Sequence, residues 1–351
     1  MLACEEIYRP TLDEVDDLLV VEAILISNQT ANTIHLYYTQ GFNDNNYNYP
    51  PASGATVYLV DDQGNSFVCR ESSEGYYNLN QMLDSEREYI LKIELNGDTF
   101  ISEMQAIPKT PSIDTIYGEY DYNVSIHGTA SSTDKLQKEY GFQLYADMKY
   151  REGLNHYRFY AKKIIQYYDY YDTVIGTPPP VTLPIYIWRS IYPGGTFNIA
   201  GPPEYSTSKD ISKHELEFFP QDYNKYFPDT MSFAGWIYII HQYGINKDTY
   251  DFYKKMNQQL DADGKIFDPI YIQLEGNIRC ENNPDKKVLG NFEISSYAES
   301  RCYLTYNKAK EELQIKRILY QYDIPSSGYI KFTGDNAPDF WESMNKRYPN
   351  E

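Results

Sequence analysis

The residues best equipped for covalent chemistry are four cysteines, and their settings give them different tasks. Met1-Leu2-Ala3-Cys4 resembles the end of a lipobox, with the small Ala3 at the cleavage position and Leu2 continuing an apolar run. Cys4 is therefore the expected lipidation site, and an acyl chain the expected membrane attachment. The plainer alternative is an ordinary cysteine near a chain end. With Cys4 acylated in an oxidising compartment, Cys69, Cys280 and Cys302 remain, and Cys280 and Cys302 are the possible disulfide. Cys69 lies in Ser66-Phe67-Val68-Cys69-Arg70, whose alternation predicts a strand and a buried thiol. No C-x-x-C or Cys/His spacing suggests zinc.

Catalytic constellations are not apparent. The five histidines (His35, His127, His156, His214, His241) are scattered, and the chain carries no G-x-S-x-G, no H-E-x-x-H and no P-loop. A carboxylate pair for glycoside hydrolysis is a spatial arrangement, and 50 acidic residues make chance pairings common. Asp261-x-Asp263-Gly264 resembles part of a calcium loop but lacks a third early oxygen ligand and the closing glutamate, so it reads as the turn ending a helix. The expectation is a non-enzymatic protein with no metal or cofactor.

Binding chemistry is better represented. Tyrosine is the compositional outlier, with 38 Tyr against 15 Phe and 3 Trp. A tyrosine suits a half-wet strand face, its ring on the protein and its hydroxyl in water, and such rings also stack on sugars and anchor interfaces. Candidate binding residues are Tyr47 and Tyr49, then Tyr167, Tyr168, Tyr170 and Tyr171, then Trp188, with Tyr117, Tyr120 and Tyr122 as a further cluster. Trp236, inside an apolar run, reads as core. A formal net charge of -19 argues against nucleic acid, whose phosphates need Lys and Arg to neutralise them.

The elements that must hold these residues read as an all-β protein with a few short helices. Residues 1–17 are an acidic tether that buries too little apolar surface to order itself. Residues 18–107 show seven short strand patterns separated by turns, including Asp61-Asp62-Gln63-Gly64-Asn65 and Asn96-Gly97-Asp98, and predict an immunoglobulin- or transthyretin-like β-sandwich. Pro108-Lys109-Thr110-Pro111 forbids central-strand pairing and marks the boundary. Residues 112–351 form the expected larger antiparallel β domain. Its helix is expected over Asp248–Leu260, packed down by Tyr250, Tyr253, Met256 and Leu260, with a second short helix over Lys308–Ile315. With 351 residues and a mean hydropathy of -0.61, two domains are expected and no apolar run is long enough for a spanning helix.

The C-terminal half carries a series of short motifs: Phe267-Asp268-Pro269, Gly276-Asn277-Ile278, Asn283-Pro284, and Leu289-Gly290-Asn291-Phe292-Glu293-Ile294-Ser295-Ser296. Upstream stand Leu19-Val20-Val21-Glu22-Ala23, Gly54-Ala55-x-Val57, Asn155-His156-Tyr157-Arg158-Phe159 and Tyr250-Asp251-Phe252-Tyr253. In order and spacing this series resembles the Bacteroidota lipoprotein family with the domain of unknown function 4249; Asn291 departs from its more usual aromatic. The resemblance implies an outer-membrane lipoprotein, lipid-anchored at the cell surface and partnered with a TonB-dependent receptor barrel, and it supplies no catalytic residues. The alternative is direct capture of a glycan or peptide. Gly276 and Gly290 are expected to permit sharp turns or close backbone approach, Asn277 to bond to backbone in a turn, and Phe267, Ile278, Leu289 and Phe292 to fill the core of the second domain.

Overall fold

The computed structural model describes residues 18–40, 49–127, 135–173, 181–192, 196–202, 210–220, 232–262, 274, 276–307 and 312–317. Within them the chain is nearly all β. In chain order the elements are β1 (Leu19–Ile26), β2 (Asn32–Tyr38), β3 (Thr56–Asp61), β4 (Ser66–Ser73), β5 (Tyr76–Leu79), β6 (Glu88–Leu95), β7 (Asp98–Ser102), β8 (Gln105–Ala106), β9 (Thr115–His127), β10 (Lys135–Met148), β11 (His156–Thr173), β12 (Val181–Ile191), β13 (Asn198–Ala200), β14 (Ile211–Pro220), β15 (Ser232–Ile245), α1 (Lys247–Ala262), β16 (Ile278–Cys280), β17 (Val288–Asn307) and β18 (Glu312–Arg317).

The chain divides into two compact units. The first holds the residues up to Ile107 together with Pro269–Ser295, and the second holds Pro108–Asp268 and the residues from Ser296 onward. The exit at Pro108 follows the proline signal, but the chain returns: residues 269–295, which the sequence reading placed in the larger domain, belong to the first unit. Two pairings bring them back. β16 adds antiparallel to β7, and the first half of β17 runs parallel to β1, from Leu19 opposite Val288 to Ile26 opposite Ser295.

In the first unit the strands follow the order β17-β1-β2-β5-β4-β3-β6-β7-β16. β4 is the corner. Its Ser66–Cys69 half pairs with β3, and Arg70–Ser73 pairs with β5 across a register shift. Strict alternation drives the rest: β1 buries Leu19, Val21, Ala23 and Leu25, and β6 buries Tyr89, Leu91, Ile93 and Leu95. These residues form one core cluster with Ile34, Leu36, Val57, Leu59, Tyr77 and Phe292, so the layer folds over on itself around a single interior. Two turns read from the sequence are present, with Gly64 at φ 82° and the Asn96-Gly97 pair at 52° and 85°.

The second unit has two layers of strands. β12, β11, β15, the second half of β17 and β18 are hydrogen-bonded in that order, with β13 added to β11, and β14-β10-β9 form a three-stranded sheet. Leu144, Ala146, Met148, Leu216 and Phe219 from the small sheet share a core with Tyr157, Phe159, Tyr238, Ile240, Cys302 and Leu304 from the large one. Helix α1 lies where Asp248–Leu260 predicts it and buries Tyr250 and Tyr253 against Ile245, with Met256 partly covered. Leu260 stays exposed, because it falls one turn beyond the strand residues that cover the other three. Of the helix expected over Lys308–Ile315, residues 308–311 lie outside the described residues, and residues 312–315 are strand instead: 312–317 form β18, paired along β17 from Asn307 opposite Glu312 to Cys302 opposite Arg317. Extending a long strand outweighs the weak helical preference of so short a segment.

The expected Cys280–Cys302 bridge is also corrected. Cys69, Cys280 and Cys302 are free and buried. Cys280 faces the core of the first unit from β16, and Cys302 that of the second from β17. Nearness in sequence misleads here because the chain passes from one unit to the other between them.

Candidate functional site

The layer β1-β2-β5-β4 has a second face, and alternation determines what stands on it. With Ile34 and Leu36 turned inward on β2, Thr33, His35 and Tyr37 must turn outward. Register then adds the neighbours: Glu22 of β1 lies opposite His35, His35 opposite Tyr76 of β5, and Thr33 opposite Asn78, which lies opposite Arg70 of β4. A further ring arrives from the segment ahead of Pro50-Pro51. The Tyr38 N–H donates to the Pro50 carbonyl and Pro51 bridges Tyr37, which brings Tyr49 alongside β2.

The result is a row of rings. Tyr49 lies 5.2 Å from Tyr37, Tyr37 lies 4.7 Å from His35, and His35 stacks on Tyr76 at 4.1 Å with planes 5° apart. Tyr49 is 59% exposed and Tyr76 41%. One carboxylate organises the centre. Tyr37 donates its hydroxyl to Glu22 at 2.9 Å, and the other Glu22 oxygen is 3.5 Å from His35 Nδ1. Burial, and then the bond to Glu22, push the Tyr37 phenol above its ordinary pKa, so it remains a donor. Thr33 donates to Asn78 at 2.9 Å and links the rings to an open groove of about 480 Å³ lined by Phe67, Val68, Arg70, Asn78, Asn80 and Gln81.

Two further surfaces belong to the second unit. On the β9–β10 hairpin, Phe142 and Leu144 are buried, while Tyr120, Tyr122, Val124 and Tyr140 continue the same face into solvent, with Tyr120 51% and Tyr140 47% exposed. Tyr140 lies 6.2 Å from Tyr120 and 5.7 Å from Tyr122, and Lys138 Nζ sits 4.0 Å above the Tyr122 ring. On the large sheet, Tyr297 donates to Glu299 at 3.0 Å, so the His241 Nδ1 contact to Tyr297 at 2.8 Å has the imidazole as donor. Burial lowers the His241 pKa against the pull of Glu299, and burial raises that of Tyr297.

The sequence candidates fare unevenly. Tyr49 joins the ring row. Tyr120 and Tyr122 share the hairpin face, whereas Tyr117 points the other way, toward Tyr145 and Asp147. Cys4 and Tyr47 lie outside the described residues. Tyr167, Tyr168, Tyr170 and Tyr171 are on β11 and pair with β12, where Trp188 is opposite Gln166, and Trp236 of β15 is opposite Ile165; the side chains of all six lie outside the described residues. Sequence reasoning missed Glu22, His35, Tyr37 and Tyr76. The alternation of Asn32–Tyr38 marks His35 and Tyr37 as outward, but β2 pairs with β5 past two intervening strands, and no local pattern announces that.

Among the described residues no group of His, Cys, Asp and Glu is placed to hold a metal, and no helix is long and apolar enough to cross a membrane.

Residues 5–301 match the domain of unknown function (DUF4249). The chain belongs to that family. No curated protein and no solved structure matches it. The DUF4249 motif residues have structural tasks in the first unit. Asn277 donates Nδ2–H to the Phe292 carbonyl at 2.7 Å and accepts the Phe292 N–H at 2.8 Å, so its side chain acts as one residue of a paired strand. Ile278 and Phe292 fill the core of the first unit, not the second as expected, because their segment returns to it. Leu289 is only half-buried, and Phe267 lies outside the described residues.

Proposed function

We propose that this chain is a cell-surface outer-membrane lipoprotein, tethered through Cys4, that serves as a non-enzymatic binding subunit of a TonB-dependent transporter or a similar β-barrel. The observation that carries this reading is the β9–β10 hairpin, whose core-side face runs on past its own core as Tyr120, Tyr122, Val124 and Tyr140. Exposed rings on paired strands supply large contact area at low entropic cost, the character of interface anchors. Family membership supports the address, since the motif series resembles lipoproteins of this kind.

The test is extraction of the full-length protein from its native outer membrane in mild detergent, followed by mass spectrometry of what accompanies it. A barrel recovered in stoichiometric amount, and lost at least tenfold with Tyr120→Ala/Tyr140→Ala, is the expected result. Recovery of the wild type alone would overturn the proposal. A circular-dichroism melt of the variant separates a lost interface from a lost fold.

A second reading, direct ligand capture, is favoured by the ring row of the first unit.

A further inference from the structure

We infer that the outer face of β1-β2-β5-β4 is a binding site for neutral glycans. The inference stands apart from the accessory role above and holds whether or not a barrel partner exists. Its platform is Tyr76. His35 covers one side of this ring at 4.1 Å. On the other side, the residue opposite Tyr76 on β4 is Ser73, exposed and too small to cover the ring. A pyranose has one face of C–H groups and a rim of hydroxyls, so it pairs naturally with an open aromatic face flanked by planar polar side chains.

Those side chains are in place. Asn78 and Arg70 stand one step along the strands from Tyr76 and Ser73, and Asn80 and Gln81 continue the line. Amides and a guanidinium offer donors and acceptors in fixed planes, which match vicinal hydroxyls. They line an open groove of about 480 Å³, with Phe67, Val68 and Leu79 as its apolar lining. That volume falls within the roughly 300–1,000 Å³ of small-ligand sites. At the far end of the ring row, the exposed Tyr49 offers a second stacking position.

Two observations select the class. First, β1, β2 and β5, which carry Glu22, His35, Tyr76 and Asn78, are each hydrogen-bonded on both sides, so a peptide cannot add to them as a strand and must be recognised through side chains. Second, a chain of net charge -19, with Glu22 on this very face, repels polyuronates and sulfated glycans. A neutral chain of hexoses or pentoses meets both conditions.

The experiment is affinity electrophoresis of the whole protein through gels containing starch, mannan, xylan or mixed-linkage β-glucan. Polygalacturonate serves as the acidic control, and a casein digest in solution is the peptide competitor. Retardation by at least one neutral polysaccharide is expected, weakened about tenfold by Tyr76→Ala, weakened by Asn78→Ala, and kept by Tyr76→Phe. Leu260→Ala, exposed on α1 of the other unit, should leave it unchanged. No retardation in any neutral gel would overturn the inference, as would retardation indifferent to Tyr76→Ala or displaced by the peptides. A circular-dichroism melt of Tyr76→Ala matching the wild type separates lost stacking from a lost fold.

Discussion

Cys69 in the first core and Cys302 in the second are thiols that burial has pushed up to about 12 from an ordinary 9.0. Each keeps its proton in the fold at a pH where the unfolded chain has lost it. The folded state therefore binds more protons across that interval, and stability must fall as pH rises from about 9 toward 12. We expect the urea midpoint to drop between pH 8.5 and 11, with a shallower slope in Cys302→Ala even though the substitution lowers the midpoint itself. The same burial keeps the thiolate out of reach of reagents: at pH 8, both cysteines should resist an aromatic disulfide reagent until denaturant is added. Modification of either at the native rate of a free thiol would contradict the burial. The strand alternation around Cys69 announces this chemistry, while the fate of Cys302 depends on which layers meet above it.

Pairs of elements explain the family motifs. Gly290 has φ at 100° in β17, and a Cβ there would sit 2.0 Å from the Val21 carbonyl oxygen of β1. A Cβ on Gly276 would sit 1.5 Å from the carbonyl oxygen of Gly290 itself. Backbone meets backbone at both points, and nothing flexible can give way. Gly290→Ala should therefore cost about 3 kcal/mol or more, measured as the shift in free energy of urea unfolding. Asn277→Ala strips two buried backbone partners from Phe292, and we expect a loss of about 2–3 kcal/mol. A change below half a unit in either would mean the layer rearranges. The sequence shows these residues as a motif and suggests sharp turns or close approach for the glycines and a turn bond for Asn277, but not the distant strands they meet. Asn277 pairs with Phe292 across an intervening loop, and Gly290 meets Val21 from the opposite end of the family region. Strands, turns and helix α1 follow from local alternation and caps; the pairings between distant strands are set by the shared core, which no local pattern records.

At the scale of the molecule, the first unit is discontinuous. Residues 18–107 expressed alone lack β16 and β17, and with them Ile278, Cys280, Phe292 and Ile294 of the core. Such a fragment should show no cooperative urea transition, and adding a peptide of residues 276–295 should restore one, with circular dichroism as the measurement. A fragment that melts cooperatively by itself would show that the returning strands are ornaments on a finished sandwich. The proline pair at Pro108 and Pro111 marks the departure from this unit, but the return has no such marker.

The parallel register of Leu19–Ile26 on Val288–Ser295 also sets an order of events in time. β1 leaves the ribosome, or a translocation channel, among the earliest strands and waits for a partner that emerges only after residues 108–268 of the second unit. Until then its far edge is an open template, and the unit cannot close. Strictly sequential assembly of the two units is therefore ruled out for this chain: the unit that emerges first closes only after residues 108–268 have appeared, and the waiting interval is when a chaperone would find the most to hold.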